Sequence, residues 1–145
     1  HDVPLEALVG RAERDEADAA FAEPWAPDGW PAVPTRVLVG VSDIAQLMAD
    51  SDLAIGAAGS TSWELCCLGV PNLLVCTAVN QRTVIGALAS ANATARLDRV
   101  ELSQPDGIPF CTQYAVLTES LATYANAAAR ITDGRGASRV CAEVA

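Results

Sequence analysis

Lysine is absent from all 145 residues, and each of the nine basic residues is an arginine. That excludes a lysine Schiff base, a P-loop lysine and a lysine general base, so any phosphate must be held by backbone amides, hydroxyls or arginine. Histidine occurs once, as His1, and the five cysteines (Cys66, Cys67, Cys76, Cys111 and Cys141) form no C-x-x-C pair. Without a C-x-x-C pair, the single histidine cannot complete a zinc set, and no metal is expected. The dinucleotide fingerprint G-x-G-x-x-G is also missing, so no cofactor is indicated. Apolar runs are short: the longest, such as residues 73–78, fall far below the roughly 20 residues that span a bilayer. The first twenty residues carry acids where a secretory leader would be positive, which argues against a signal peptide. An odd number of cysteines within apolar stretches reads as reduced, buried thiols, and a cytoplasmic location is expected.

Positive charge is scarce as well. Nine arginines stand against 18 acidic residues, a formal net charge of −9, the wrong sign for counterion-release binding to nucleic acid or for an anionic membrane surface. Neither nucleic acid nor a membrane span is expected. What the chain does have is apolar content, 51% of residues against 19% charged, enough for one globular domain of this length. Its charge is uneven, with eight acids and only Arg11 and Arg14 in the first thirty residues. Residues 1–35 read as an acidic, proline-rich segment. Leu5, Leu8, Val9 and Ala12 recur at helical spacing there, so helix is expected from residue 5 towards residue 21. Pro24, Pro27, Pro31 and Pro34 then mark a loop.

Residues 36–145 read differently. Strands are expected over 36–41, 52–55 and 72–76, with a short strand or loop at 95–97. Helices are expected after Ser42, through Trp63 to Leu68, from about 81 to 92, over about 113–131 and towards Val144. Strand and helix alternating in this way predict an α/β fold, a Rossmann-like parallel sheet with helices on both faces. In such sheets ligands bind beyond the carboxyl ends of the strands. The turn after Ile55 has the composition for that: Gly56, Ala58 and Gly59 let a ligand approach the backbone, and Ser60, Thr61 and Ser62 add hydroxyls. The following helix start offers about half a positive charge to a diphosphate. The competing reading is a capping box, with Thr61 as N-cap and Glu64 reaching back.

The stretch DLAIGAAGSTSWE at 52–64, with CCLGVP at 66–71 and NQ at 80–81, closely resembles the carboxy-terminal half of the UDP-sugar hydrolases of the pseudaminic acid pathway. Those enzymes release UDP from UDP-2,4-diacetamido-2,4,6-trideoxy-β-L-altropyranose. The closing ITDGRGASRV at 131–140 is similar to the end of the same family, so the resemblance covers residue 36 onward. It implies the second half of a GT-B-like fold that binds UDP or a UDP-sugar. By the resemblance, Gly59, Ser60 and Thr61 would hold the diphosphate and Glu64 the ribose hydroxyls. Asn80 and Gln81 would sit at the sugar end, where their amides can donate and accept; the alternative for these two is a polar loop capping the next helix. Members of the family carry a glycine-rich loop with a catalytic histidine in an amino-terminal domain, and no such loop occurs here. The chain is thus expected to be the UDP-binding half only, inactive alone, lacking the first strand of its domain and associating with the absent domain or with itself. The catalytic residues are left unassigned. A GT-B glycosyltransferase domain and a non-catalytic nucleotide-sugar-binding module from a truncated gene are the alternatives. Cys66 and Cys67 are expected to be buried rather than nucleophilic, Ser60 and Ser62 lack a triad histidine, and Arg135 and Arg139 are expected in surface ion pairs.

Overall fold

The structure is a computed structural model that describes residues 5–8, 35–38, 40–103 and 107–144. It divides into two compact units, residues 1–44 and 45–145. In the first, strands β1 (Leu5–Leu8) and β2 (Thr35–Leu38) pair in parallel, with Leu5 opposite Thr35 and Leu8 opposite Leu38. This corrects the sequence reading, which put helix at residue 5. Four residues are too few to decide between the two periods, and the ladder offered by β2 supplies their backbone partners. Strand β2, grouped with the following domain on sequence, belongs to the first unit. The proline run and Trp25 and Trp30 lie outside the described residues, as do the acids of the first thirty apart from Glu6.

The second unit begins in α1 (Ile44–Ala49), whose half-buried residues Ile44, Leu47 and Met48 are those the apolar spacing picked out. A three-stranded parallel sheet follows, in the order β3 (Ala54–Ala57), β4 (Asn72–Cys76), β5 (Ala95–Asp98). Between the strands run α2 (Thr61–Leu68) and α3 (Arg82–Ser90). Beyond the sheet come a single-turn helix α4 (Arg99–Leu102), then α5 (Ile108–Glu119), α6 (Leu121–Ala128) and α7 (Gly136–Glu143).

Strand β4 is buried along its whole length, the mark of a central parallel strand covered on both faces. Its alternate residues feed two cores. Leu74 and Cys76 pack with Cys66 of α2, Ile85 and Leu88 of α3 and Ala128 of α6. Leu73 and Val75 pack with Ala95 and Leu97 of β5 and with Leu117 and Phe110 of α5. Helices therefore cover both faces, and the chain has the Rossmann-like α/β architecture its strand and helix alternation predicts. Leu73, Leu74, Leu88, Leu97 and Leu117 are fully buried, each stabilising the fold by about 2 kcal/mol.

Two boundaries differ from expectation in ways that bear on the site. Strand β3 lies two residues further along than the hydrophobic run 52–55 suggested, because its ladder is set by β4: Ala54 is opposite Asn72 and Ala57 opposite Val75. Gly56 consequently sits inside the strand. The single helix expected over 113–131 starts earlier, at Ile108 with Pro109 in its first turn, and breaks at Ser120, whose φ of −135° and ψ of 28° lie outside the helical range.

Candidate functional site at the strand carboxyl ends

Helix α2 ends where its sequence says it should. Gly69 adopts φ +68°, and its N–H and that of Val70 donate to Cys66 O and Leu65 O, the paired bonds of a Schellman stop. Its start is less conventional. Ser60 occupies the N-cap position in a right-handed helical conformation, and no side chain among the described residues caps the helix. Thr61 is already in the first turn, so the capping box of Thr61 and Glu64 does not form.

The turn leading into α2 exposes Gly59, Ser60 and Thr61. Ala58 is buried, and its N–H donates to Val75 O at 3.1 Å, which ties the turn to β4. Gly59 N–H folds back on Ala57 O, and those of Ser62 and Trp63 donate to Gly59 O and Ser60 O. The amides of Ser60 and Thr61 are left with no acceptor among the described residues. Spacing of three and four residues puts exposed Glu64 on the same helix face as Thr61 and Ser60. Its carboxylate has no hydrogen-bond partner among the described residues. Ser62, counted on sequence among the available hydroxyls, faces the other way. It is fully buried on the side of Leu65 and Cys66, and its Oγ has no partner among the described residues.

Asn80 and Gln81 lie on the next loop, in a 3-10 turn (Val79–Gln81) that leads into α3. Asn80 is exposed. Half-buried Gln81 turns its carbonyl oxygen back onto its own loop, accepting Thr77 N–H at 2.9 Å, Ala78 N–H at 3.2 Å and the Thr77 hydroxyl at 3.1 Å. Only its amino group is left to face a ligand. The loops after β3 and β4 are neighbours, since those strands are paired and adjacent strands stand about 4.8 Å apart. Turn, Glu64 and the 77–81 loop thus share one edge of the sheet.

A cleft of about 530 Å³ opens on that edge between the loops after β4 and β5. It is lined on one side by Thr77, Ala78, Val79 and Arg82, and on the other by Asp98, Arg99, Val100 and Glu101. The sequence reading named none of these. Arg82 follows Asn80-Gln81 directly and Arg99 follows the end of β5, so the rule that ligands lie beyond strand carboxyl ends was the signal available; no motif marks them.

Elsewhere, burial corrects the reading of the cysteine pair. Cys66 is fully buried, and burial pushes its thiol up from the ordinary range. Cys67 is exposed rather than buried, as is Cys141. The expected surface pairing holds for Arg139, which binds Asp133. No three His, Cys, Asp or Glu side chains among the described residues are grouped to hold a metal ion. No helix among them is long and apolar enough to cross a membrane. Neither a protein-family model nor a curated protein matches the sequence.

Proposed function

We propose that this chain is the UDP-binding half of a nucleotide-sugar hydrolase that releases UDP from a 2,4-diacetamido-trideoxy-hexose for nonulosonic acid biosynthesis. The observation that carries the reading is the start of α2. Its turn is exposed, no side chain caps it, the Ser60 and Thr61 amides lack acceptors among the described residues, and Glu64 stands unengaged on the same face. Such a terminus suits a diphosphate, with backbone N–H groups and the helix dipole replacing the lysine this chain lacks. A carboxylate one turn further in can accept two hydrogen bonds from a ribose diol. The resemblance at 52–71 supplies the nucleotide and the sugar.

In the whole enzyme, water would attack the anomeric carbon while the bond to the diphosphate oxygen breaks. The role of this half is to bind the departing UDP, whose charge grows in the transition state, at the helix terminus. A histidine on a separate amino-terminal domain would handle the proton of the attacking water, and that domain, or a second copy, is the partner this reading requires.

Calorimetric titration of the chain with UDP tests the reading, with ADP as the control for base selectivity and Glu64→Ala as the site control. Binding of UDP that exceeds that of ADP and is lost in the variant is the expected result. A folded chain that binds neither nucleotide overturns the assignment of the turn.

A further inference from the structure

We propose that the cleft between the loops after β4 and β5 binds a small ligand bearing an oxyanion, a phosphate monoester or a carboxylate, through Arg82 and Arg99. This is independent of the uridine reading, because neither arginine belongs to the turn or to the residues assigned to UDP.

Both walls of the cleft are held in place by their own side chains. On the β4 side the carbonyl oxygen of Gln81 takes the N–H groups of Thr77 and Ala78. On the β5 side Glu101 Oε2 takes the N–H of Asp98 at 2.7 Å. A cleft with fixed walls does not have to be ordered by its ligand, which removes part of the entropic cost of binding.

The same bonds determine which polar groups remain free. Gln81 has committed its acceptor oxygen and Glu101 one carboxylate oxygen, whereas the guanidinium groups of Arg82 and Arg99 have neither an ion pair nor a hydrogen bond among the described residues. Each guanidinium keeps its charge at any working pH and presents donors in a planar fork that matches a carboxylate or phosphate. Asp98 and Glu101 are the opposing groups, since both acids line the same cleft, and they limit the site to ligands whose anion can reach past them to the two guanidinium groups. Val79 and Val100 are 79% and 74% exposed on the two walls. Those side chains suit an apolar body attached to the anion, the usual combination of an apolar lining with a few polar anchors.

The test is a titration of the full 145-residue chain, isotopically labelled and followed by NMR, with inorganic phosphate, phenyl phosphate and benzoate as probes. Saturable shifts at Thr77, Ala78, Val79 and the Arg82 and Arg99 side chains are expected, stronger for phenyl phosphate than for inorganic phosphate. The ratio of phenyl phosphate to benzoate affinity distinguishes a phosphate site from a carboxylate site. Arg82→Gln and Arg99→Gln should each weaken binding roughly tenfold, the loss of one charge-assisted contact. Asp98→Asn should tighten it, and Glu64→Ala should leave it unchanged. All four positions are exposed, so unchanged spectra elsewhere will show that the variants fold. The proposal is overturned by the absence of saturable shifts at millimolar probe, by shifts confined to residues 59–61, or by shifts that both arginine substitutions leave unaffected.

Discussion

Arg139 grips Asp133 with both amino groups, Nη1 lying 2.8 Å from Oδ2 and Nη2 3.1 Å from Oδ1. The Asp133 carboxylate also accepts the N–H of Arg135 at 3.0 Å. The guanidinium hydrogen bond first, and then that backbone bond, hold its carboxyl down at about 2, below the ordinary value of 3.8. Because the folded value lies below the unfolded one, the stabilisation is complete above 3.8 and disappears as pH falls towards 2. Both side chains are more than half exposed, so salt will weaken the pair. Carbon-detected NMR titration of the Asp133 carboxyl should give a midpoint near 2 in the native chain. Arg139→Gln should raise it most of the way to the unperturbed value. A native midpoint near 3.8 would mean that the pair does not persist in solution.

The glycine at the centre of that turn is pinned from another direction. Gly134 has φ +71°, and a Cβ placed on it would stand 2.7 Å from Cys67 Sγ. The Asp133 turn therefore rests against the exposed cysteine of the pair while its neighbour Cys66 lies in the core. Thiol chemistry should separate the two. In the native chain a water-soluble disulfide reagent at mildly alkaline pH should modify Cys67 and Cys141 first and Cys111 more slowly. Cys66 and Cys76 should react only on unfolding, Cys66 doubly protected by burial and by its raised thiol pKa. Mass mapping after timed quenching reads this order, and rapid modification of Cys66 in folded protein would contradict the packing of α2 against β4.

The second unit was largely legible because its signals were local and strong. Strand β4 was expected at the residues it occupies, since five apolar or amide residues between Pro71 and Thr77 admit little else. Gly69 and Pro71 marked the end of α2 for reasons of backbone geometry alone. What could not be read depended on partners distant in sequence. The register with Val75 and Asn72 moved β3 two residues along, and pairing with Thr35–Leu38 made a strand of Leu5–Leu8. Within the candidate site, the position of Thr61 and Glu64 on α2 was legible as two possibilities, a cap or a ligand site, and the structure removes the capping box. The inward rotation of Ser62 and the turning back of Gln81 onto Thr77 follow from helix phase and loop geometry, which single residues do not encode.

Gly69 gives a direct measure of how firmly α2 is terminated. Alanine there would have to hold φ +68°, and its Cβ would meet Ala129 Cβ at 3.4 Å and Ala125 O at 3.6 Å. Those distances are ordinary contacts, so the cost is conformational. Gly69→Ala should destabilise the fold by about 1–2 kcal/mol, seen as a lower urea midpoint with unchanged slope. Gly59→Ala provides the contrast, because nothing among the described residues lies within 4 Å of a Cβ at that position. It should leave stability nearly unchanged while crowding the turn against any diphosphate.

Gln81 is the residue for which the two sequence readings, sugar contact and loop cap, make opposite predictions. Its oxygen is engaged three times within its own loop. Removing the side chain in Gln81→Ala leaves the Thr77 and Ala78 amides without that acceptor, at a cost of about 1 kcal/mol because the loop is exposed and water can substitute in part. Gln81→Glu keeps an acceptor there and should retain the loop, whereas it replaces the amino group, the only donor left for a ligand, with a carboxylate oxygen. Amide exchange at Thr77 and Ala78 should therefore accelerate in the alanine variant and stay close to native in the glutamate variant. A glutamate variant that exchanges as fast as the alanine one would show that the amino group, rather than the oxygen, holds this loop together.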